Sequence, residues 1–112
     1  FMTKQLDLQI DGMNCICVPL SEANFADISA IYVIICINRK ENTYTVIDIG
    51  QSGELGTRIG NHDRQECWKR KCPSGEIWVC VYKMPTNKYT KQQRLELEHK
   101  WRTKYNNLCG ER

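Results

Sequence analysis

The sequence feature that most constrains the fold is a continuous apolar run, AIYVIICI, at residues 30–37. It is strand-sized and rich in β-branched residues, so it predicts a central strand that is covered on both faces. The polar segment NRKENT follows it, and then a second β-type run, YTVIDI, at residues 44–49. A short polar segment between two such runs predicts a hairpin. We therefore expect an antiparallel sheet that contains this hairpin.

Two elements are predicted in the second half of the chain. The segment EIWVCVYK at residues 76–83 is predicted to be a strand, because Pro73-Ser74-Gly75 and Pro85 isolate it. Thr90 is predicted to begin a long helix. Apolar side chains recur along that helix at helical spacing and form its expected buried stripe, namely Leu97, Trp101, Tyr105 and Leu108.

A shorter helix is predicted directly after the hairpin. Gly50 allows a turn, Ser52 is the expected N-cap, and apolar or aromatic residues then recur at helical spacing up to His62. Arg58 lies four residues before His62, so both are expected on one flank of this helix. Within the preceding strand, strict alternation places Asp48 on the same face as Val46.

The first 29 residues have a weaker pattern. Leu6, Leu8 and Ile10 alternate with polar residues and predict a short strand. Residues 13–29 are predicted to be irregular, with a short helix near residues 22–28. We expect residues 1–29 to be an N-terminal extension, a strand plus a short helix, packed on a main domain of residues 30–112. The predicted fold class is α+β, with a small, mainly antiparallel central β-sheet of about three strands flanked by helices.

Composition limits the cellular setting. A chain of 112 residues fits one domain. Its seven cysteines are odd in number and lack a framework of even spacing, so we expect reduced thiols and a cytoplasmic location. No basic segment followed by an apolar one stands at the start, so no secretory signal is expected. No apolar run approaches the roughly 18 residues of a membrane span, so no membrane partner is expected either.

Charge is distributed unevenly along the chain. Residues 1–57 carry three basic and seven acidic side chains, whereas residues 58–112 carry thirteen basic and six acidic ones. A basic half suits a polyanion such as nucleic acid, although a solvated lysine-rich surface gives the same composition. The side chains expected to contact nucleic acid are Arg64, Lys69, Arg70, Lys71, Lys91 and Arg94.

Several short motifs occur in an informative order. AIYVI is followed by DIGQS, Arg58 stands ten residues after Asp48, His62 comes next, and Glu98 lies in RLELEHKWRTKYN. This set resembles the GIY-YIG nuclease superfamily over residues 30–109. Residues 30–32 match the first motif and residues 48–50 match the second.

The resemblance implies a site. Its two motif strands would lie side by side, with the Tyr32 hydroxyl near the attacking water and Arg58 on a phosphate. Glu98 would bind one divalent metal ion, Mg²⁺ or Mn²⁺, with Glu96 as the alternative ligand. His62 matches a histidine found in part of the family. Asn106, or its rival Asn107, is the nearest match to an asparagine near the end of the last helix.

The same residue types suit the chemistry of phosphodiester hydrolysis. A carboxylate such as Glu98 can hold Mg²⁺, which stabilises the leaving oxygen. The guanidinium of Arg58 offers two donors to phosphoryl oxygens. His62 can accept or relay a proton near neutral pH.

One departure from the family pattern is important. Asp48 stands where the second motif has tyrosine, and Gln51 stands where some members have lysine. We hypothesise that Tyr32 is the principal phenol and that Asp48 modulates the metal or the water.

The expected function is a divalent-metal-dependent endonuclease that cuts nucleic acid, with DNA favoured over RNA. The expected partners are nucleic acid and, as an open alternative, a second copy of the chain or a specificity partner. The alternative function is a catalytically degenerate domain that binds nucleic acid or protein. A third alternative is an unrelated α+β interaction domain with accidental motif matches.

Overall fold

The computed structural model describes residues 5–110. Its strands are β1 (Leu6–Ile10), β2 (Met13–Pro19), β3 (Ala30–Asn38), β4 (Thr43–Ser52) and β5 (Ile77–Lys83). Its α-helices are α1 (Leu55–Gly60), α2 (Gln65–Lys71) and α3 (Lys91–Arg102), and a single 3₁₀ turn covers Leu20–Glu22. The predictions that fall on residues 1–4 and 111–112 lie outside the described residues.

In residues 5–110 the strands form one antiparallel sheet in the order β1-β2-β5-β3-β4. The prediction of about three strands flanked by helices is therefore wrong, because the sheet has five strands and the N-terminal segment supplies two of them. The predicted hairpin is present as β3 and β4, and β3 is buried along most of its length. The strand predicted at residues 76–83 is present as β5.

Strand β2 was not predicted, and the side chains that it buries explain why. Residues 13–19 were expected to be irregular, but Cys15 and Cys17 point into the core and Ile16 is 43% exposed. The alternation is carried by small buried cysteines, while the larger apolar side chain faces solvent. A hydrophobicity pattern weighted toward isoleucine therefore gives the wrong face. The short helix expected near residues 22–28 is only the 3₁₀ turn.

Both faces of the sheet are covered. On one face, Val33 and Ile35 of β3 pack in a cluster with Trp101 of α3. On the other face, Tyr32 and Ile34 pack with the side chains of α1 and α2, including Leu55, Ile59 and Trp68. Because β3 separates these two clusters, it is apolar on both sides, as a strand with two covered faces must be.

A β-bulge in the hairpin changes the faces predicted for β4. Ile34 pairs with Asp48, but the next residue, Ile35, pairs with Val46, so Ile47 is the extra residue. Val46 then packs in the α3-side cluster, whereas Ile47 packs in the cluster on the α1 and α2 side. The prediction that Val46 and Asp48 share a face is wrong, because the extra residue shifts the alternation by one position.

The helices also differ in part from the prediction. Helix α3 begins as expected after Thr90, whose side chain and that of Gln93 form a capping box. Helix α1 ends at Gly60, so His62 lies in a turn beyond it and does not share a helical flank with Arg58. Helix α2 was not predicted at all.

Six of the seven cysteines form disulfides, so the expectation of reduced thiols is wrong. The pairs are Cys17–Cys80, Cys36–Cys72 and Cys67–Cys109. Cys15 is the remaining buried thiol, and burial raises its pKa to about 11. The paired residues are 63, 36 and 42 positions apart in the sequence. Regular local spacing therefore could not indicate them. Among the described helices, none is long and apolar enough to cross a membrane.

Gly50 has a packing role that gives a testable prediction. It pairs with Tyr32 across the hairpin, and a Cβ atom at this position would overlap the phenol oxygen and Cζ of Tyr32. We expect Gly50→Ala to lower the free energy of unfolding by about 1–3 kcal/mol, because neighbouring residues must move to relieve the overlap. Chemical denaturation measures this change.

Gly60→Ala is the matched control. Gly60 lies at the end of α1, and apart from its chain neighbours and the helix backbone, no atom of residues 5–110 lies within 4 Å of a Cβ position there. We expect this variant to be as stable as the wild type or slightly more stable. Equal effects of the two substitutions would show that Tyr32 does not pack tightly against Gly50.

Candidate active site

Tyr32 and His62 form a buried pair on the α1 and α2 side of the sheet. The phenol oxygen of Tyr32 lies 2.5 Å from Nε2 of His62. Tyr32 is 1% exposed and His62 is 5% exposed. The two rings meet edge to face, and the indole of Trp68 also packs against His62, with ring centroids 4.5 Å apart. These contacts fix the orientation of both rings.

The contacts of His62 determine which ring nitrogen carries the proton. The backbone N–H of Arg64 donates to Nδ1 at 3.1 Å, so Nδ1 carries no hydrogen. A neutral imidazole has one N–H, which must then be on Nε2 and must donate to the oxygen of Tyr32. Burial, reinforced by the positive charges of Arg58 and Arg64, lowers the pKa of His62 to about 4. His62 is therefore a neutral hydrogen-bond donor near pH 7, and our expectation that it accepts or relays a proton is replaced.

Arg58 extends from α1 to the same point. Its positive charge lies near enough to the hydroxyl of Tyr32 to lower the pKa of that phenol. The guanidinium also forms an ion pair with the exposed Asp63 at 3.3 Å. Burial raises the pKa of Tyr32, and this effect outweighs the opposing effect of Arg58. Tyr32 is therefore a neutral phenol near pH 7. Its oxygen accepts a hydrogen bond from Nε2 of His62, so its own proton can be donated to another acceptor.

Asp48 occupies the centre of a buried polar network. One carboxylate oxygen accepts from Nε of Arg64 at 2.9 Å and from the indole N–H of Trp68 at 2.7 Å. The other accepts from Nη1 of Arg102 at 3.0 Å and from the backbone N–H of Ile49 at 2.8 Å. The carboxylate is fully buried. With four N–H donors around it, Asp48 is not placed to bind a metal or water, and we replace the hypothesis that it modulates them.

This network also closes the open edge of β4. Arg102 donates to the carbonyl oxygens of Ile49 and Cys109, and the backbone N–H of Cys109 donates to the carbonyl oxygen of Ile47. The C-terminal segment thus contacts an edge strand whose backbone groups would otherwise lack partners. Arg64, just before α2, and Arg102 of α3 both bind the carboxylate of Asp48. The network therefore joins β4, α2 and α3.

Glu98 lies on the face of α3 that packs against β4. Arg94 and Arg102 stand four residues before and after it, and their side chains donate to Gln51 and to Asp48 of β4. Glu98 is half-buried, whereas Glu96 is exposed and accepts from Gln92 within the helix. Glu98 therefore faces the sheet and Glu96 faces solvent. Within residues 5–110, no group of three or more His, Cys, Asp or Glu residues is arranged to hold a metal ion.

The six predicted nucleic-acid contacts divide into two groups. Arg64 donates to Asp48, and Arg94 is 6% exposed and donates to Gln51 at 2.7 Å. These two arginines are engaged inside the protein. The other four side chains are exposed, three at the end of α2 and one at the start of α3, namely Lys69, Arg70, Lys71 and Lys91.

Arg102 and Trp68 were missed by sequence reasoning. The sequence pattern assigned neither residue a role in the site. An aspartate inside an apolar strand is a signal in itself, because a buried carboxylate requires several donors or a positive charge. The sequence does not show which donors these are, since they lie 16, 20 and 54 residues from Asp48.

No protein-family model, curated protein or solved structure matches this chain. The resemblance to GIY-YIG nucleases therefore depends on the residues themselves. Of the five residues in the predicted catalytic set, the structure joins Tyr32, Arg58 and His62 in one cluster. It places Asp48 of β4 in the adjacent buried network. Glu98 lies on α3, which packs against β4.

The buried neutral state of His62 predicts a pH dependence of stability. Its pKa is about 4 in the folded protein and about 6.5 in the unfolded chain. The unfolded state therefore binds more protons between these values, and stability falls as the pH decreases from about 6.5 to 4. The loss attributable to His62 is on the order of 3 kcal/mol. The free energy of unfolding is measured for the wild type and for His62→Gln across this pH range. The difference between them isolates the contribution of His62, because the other titrating groups are common to both proteins.

We expect the two stability curves to converge toward pH 4 and to be furthest apart above pH 6.5. Parallel curves would mean that His62 is not held neutral by the fold.

The Asp48 network gives a second prediction for this site. We expect Asp48→Asn to lower the free energy of unfolding by about 3 kcal/mol or more. The two guanidinium groups lose their buried negative charge, and the amide NH₂ group replaces one acceptor oxygen and faces N–H donors. Asp11→Asn is the matched control, since Asp11 pairs with Lys100 and Lys104 on the surface. We expect little change from it. Denaturation at neutral pH compares the two, and similar losses would contradict the structural role of Asp48.

Proposed function

We propose that this chain hydrolyses nucleic-acid phosphodiester bonds at the Tyr32–His62–Arg58 cluster, as a divergent member of the GIY-YIG superfamily. The observation that carries the proposal is the convergence of a phenol, a neutral imidazole and a guanidinium on one point. These residues come from β3, the turn after α1 and α1 itself. Arg58 is 36% exposed, so its guanidinium can reach a phosphate.

The roles within this site follow from protonation. Arg58 binds the phosphoryl oxygens and stabilises the charge that develops on them. Tyr32 orients the attacking water and must lose its own proton before it can accept one. His62 donates through Nε2 to the phenol oxygen, so it stabilises a phenolate there. The pH–rate profile should then rise by about tenfold per pH unit from pH 7 towards the raised pKa of Tyr32.

The donor set fits one magnesium ion, bound through a single carboxylate. Mg²⁺ commonly uses one or two protein carboxylates and takes its other ligands from water and substrate phosphate. Asp48 is enclosed by four donors, and the resemblance to the family assigns the ion to Glu98. When bound, Mg²⁺ or Mn²⁺ would stabilise the leaving oxygen. The expected substrate is DNA, with RNA as the alternative.

A second function is favoured by a specific observation. Tyr32 and His62 are almost fully buried, and Asp48 replaces the second tyrosine of the family pattern. Arg58 and the exposed side chains of Lys69, Arg70, Lys71 and Lys91 would then bind a polyanion without cutting it. Affinity of this kind decreases steeply with salt. Its partner would be nucleic acid, or a protein through the same surface.

The predicted cytoplasmic location and the possible dimer or specificity partner stay predictions. The three disulfides weigh against a reducing compartment, because cytosolic proteins rarely keep disulfides.

A cleavage assay with matched variants tests the proposal. Supercoiled plasmid is incubated with Mg²⁺ or Mn²⁺ and the wild type, and the nicking rate is measured. We expect Tyr32→Phe, Arg58→Ala and Glu98→Gln each to lower the rate by about 100-fold or more. Lys40→Ala and Glu96→Gln are the exposed controls and should retain most of the activity.

Three outcomes separate the alternatives. Cleavage that is lost in Tyr32→Phe, Arg58→Ala and Glu98→Gln but kept in the exposed controls supports the nuclease function. Cleavage that survives Arg58→Ala and Glu98→Gln would come from a contaminant and contradict it. Salt-sensitive plasmid binding without cleavage would support the binding function.

A further inference from the structure

The C-terminal segment is attached at several points to the network that supports the candidate site. Leu108 is buried, and Cys109 is paired with Cys67 of α2. The backbone N–H of Cys109 donates to Ile47 at 2.8 Å, and its carbonyl oxygen accepts from Arg102 at 2.8 Å. Residues 108–110 therefore connect α2, α3 and β4 at the edge of the sheet.

The same segment contacts Arg64. Gly110 has a φ of +73°, and a Cβ atom there would overlap the guanidinium of Arg64. Arg64 in turn donates to Asp48 through its side chain and to Nδ1 of His62 through its backbone. A continuous set of contacts thus leads from the disulfide to the hydrogen bond that fixes the proton of His62.

We infer that the Cys67–Cys109 disulfide is a redox-sensitive clasp that controls the order of the Tyr32–His62 pair. In the oxidised protein, it holds residues 108–110 against Arg64 and Arg102. After reduction, this segment is tied only by noncovalent contacts, and the hydrogen bonds of Cys109 and Arg64 open more often. The regulatory consequence depends on the proposed nuclease activity, whereas the change in order does not.

The geometry indicates how a dithiol would reduce this pair. Cys67 is partly exposed and Cys109 is 1% exposed, so a thiolate attacks Sγ of Cys67 and the sulfur of Cys109 leaves as a thiolate. The second thiol of the reagent then attacks the mixed disulfide and releases Cys67. The dithiol becomes a cyclic disulfide, and its two electrons and two protons pass to the cysteine pair.

The Cys36–Cys72 disulfide is a matched control. It closes a comparable span of 36 residues, against 42 for Cys67–Cys109, and it also ends at α2. Its sulfur atoms lie beside the hydroxyl of Ser74, at the far end of α2 from Arg64. Removing it costs the chain one disulfide without releasing residues 108–110.

Amide hydrogen exchange tests the clasp without reference to activity. Exchange at residues 64 and 109 is followed in the oxidised and dithiothreitol-reduced wild type, in Cys67→Ser/Cys109→Ser and in Cys36→Ser/Cys72→Ser. We expect reduction to speed exchange at both amides by about tenfold in the wild type and in the Cys36→Ser/Cys72→Ser control. In Cys67→Ser/Cys109→Ser, exchange should be equally fast before and after the reagent is added. If that variant does not fold, the reduced wild type still provides the measurement.

The outcomes distinguish the clasp from the nuclease. Unchanged protection of residue 109, or protection of residue 64 that persists when residue 109 opens, would overturn the clasp. If exchange becomes faster after reduction but neither redox state cleaves DNA, the redox-dependent change in order stands and the nuclease function is rejected. If cleavage occurs, we expect the reduced form to be about tenfold slower; equal rates would overturn the regulation.

Discussion

The buried carboxylate of Asp48 is the interaction on which the rest of the structure depends. Removing a charge from water is costly unless donors surround it, and here two guanidinium groups, an indole and a backbone amide do so. The donors come from β4 itself, from the N-cap and the middle of α2, and from the end of α3. Satisfying one carboxylate therefore fixes α2 and α3 relative to the edge of the sheet.

The Tyr32–His62 pair lies one contact away from this network. Trp68 donates to Asp48 and packs against the ring of His62, while Arg64 binds Asp48 and donates to Nδ1 of His62. The imidazole is therefore held in one orientation and one protonation state. Its role differs from that of a general base, because Nδ1 already has a donor and Nε2 carries the proton. Through His62, the network thus changes what the phenol of Tyr32 can do.

The sequence predicted the elements that have strong local patterns. The β3–β4 hairpin, β5 and the start of α3 follow from apolar runs, turn residues and a capping threonine. The sequence did not predict β2, because cysteines carry its buried face. It did not predict the bulge at Ile47 either, because one extra residue leaves no mark on a hydrophobic pattern.

The candidate site could be predicted only in part for the same reason. Tyr32, Arg58 and His62 were selected as a group by motif order, and the structure brings them together. The partners of Asp48 and the three disulfides were missed, because they depend on which distant residues the fold places side by side. Sequence reasoning recognised Asp48 as unusual but assigned it to chemistry, whereas its burial and its four donors indicate a structural role.

The protonation state of His62 tests the account most directly. Long-range ¹H–¹⁵N correlation spectra of ¹⁵N-labelled protein at neutral pH distinguish the two neutral tautomers from the imidazolium ion. The account predicts a neutral ring with its proton on Nε2 and an unprotonated Nδ1. A proton on Nδ1, or a doubly protonated ring, would contradict it.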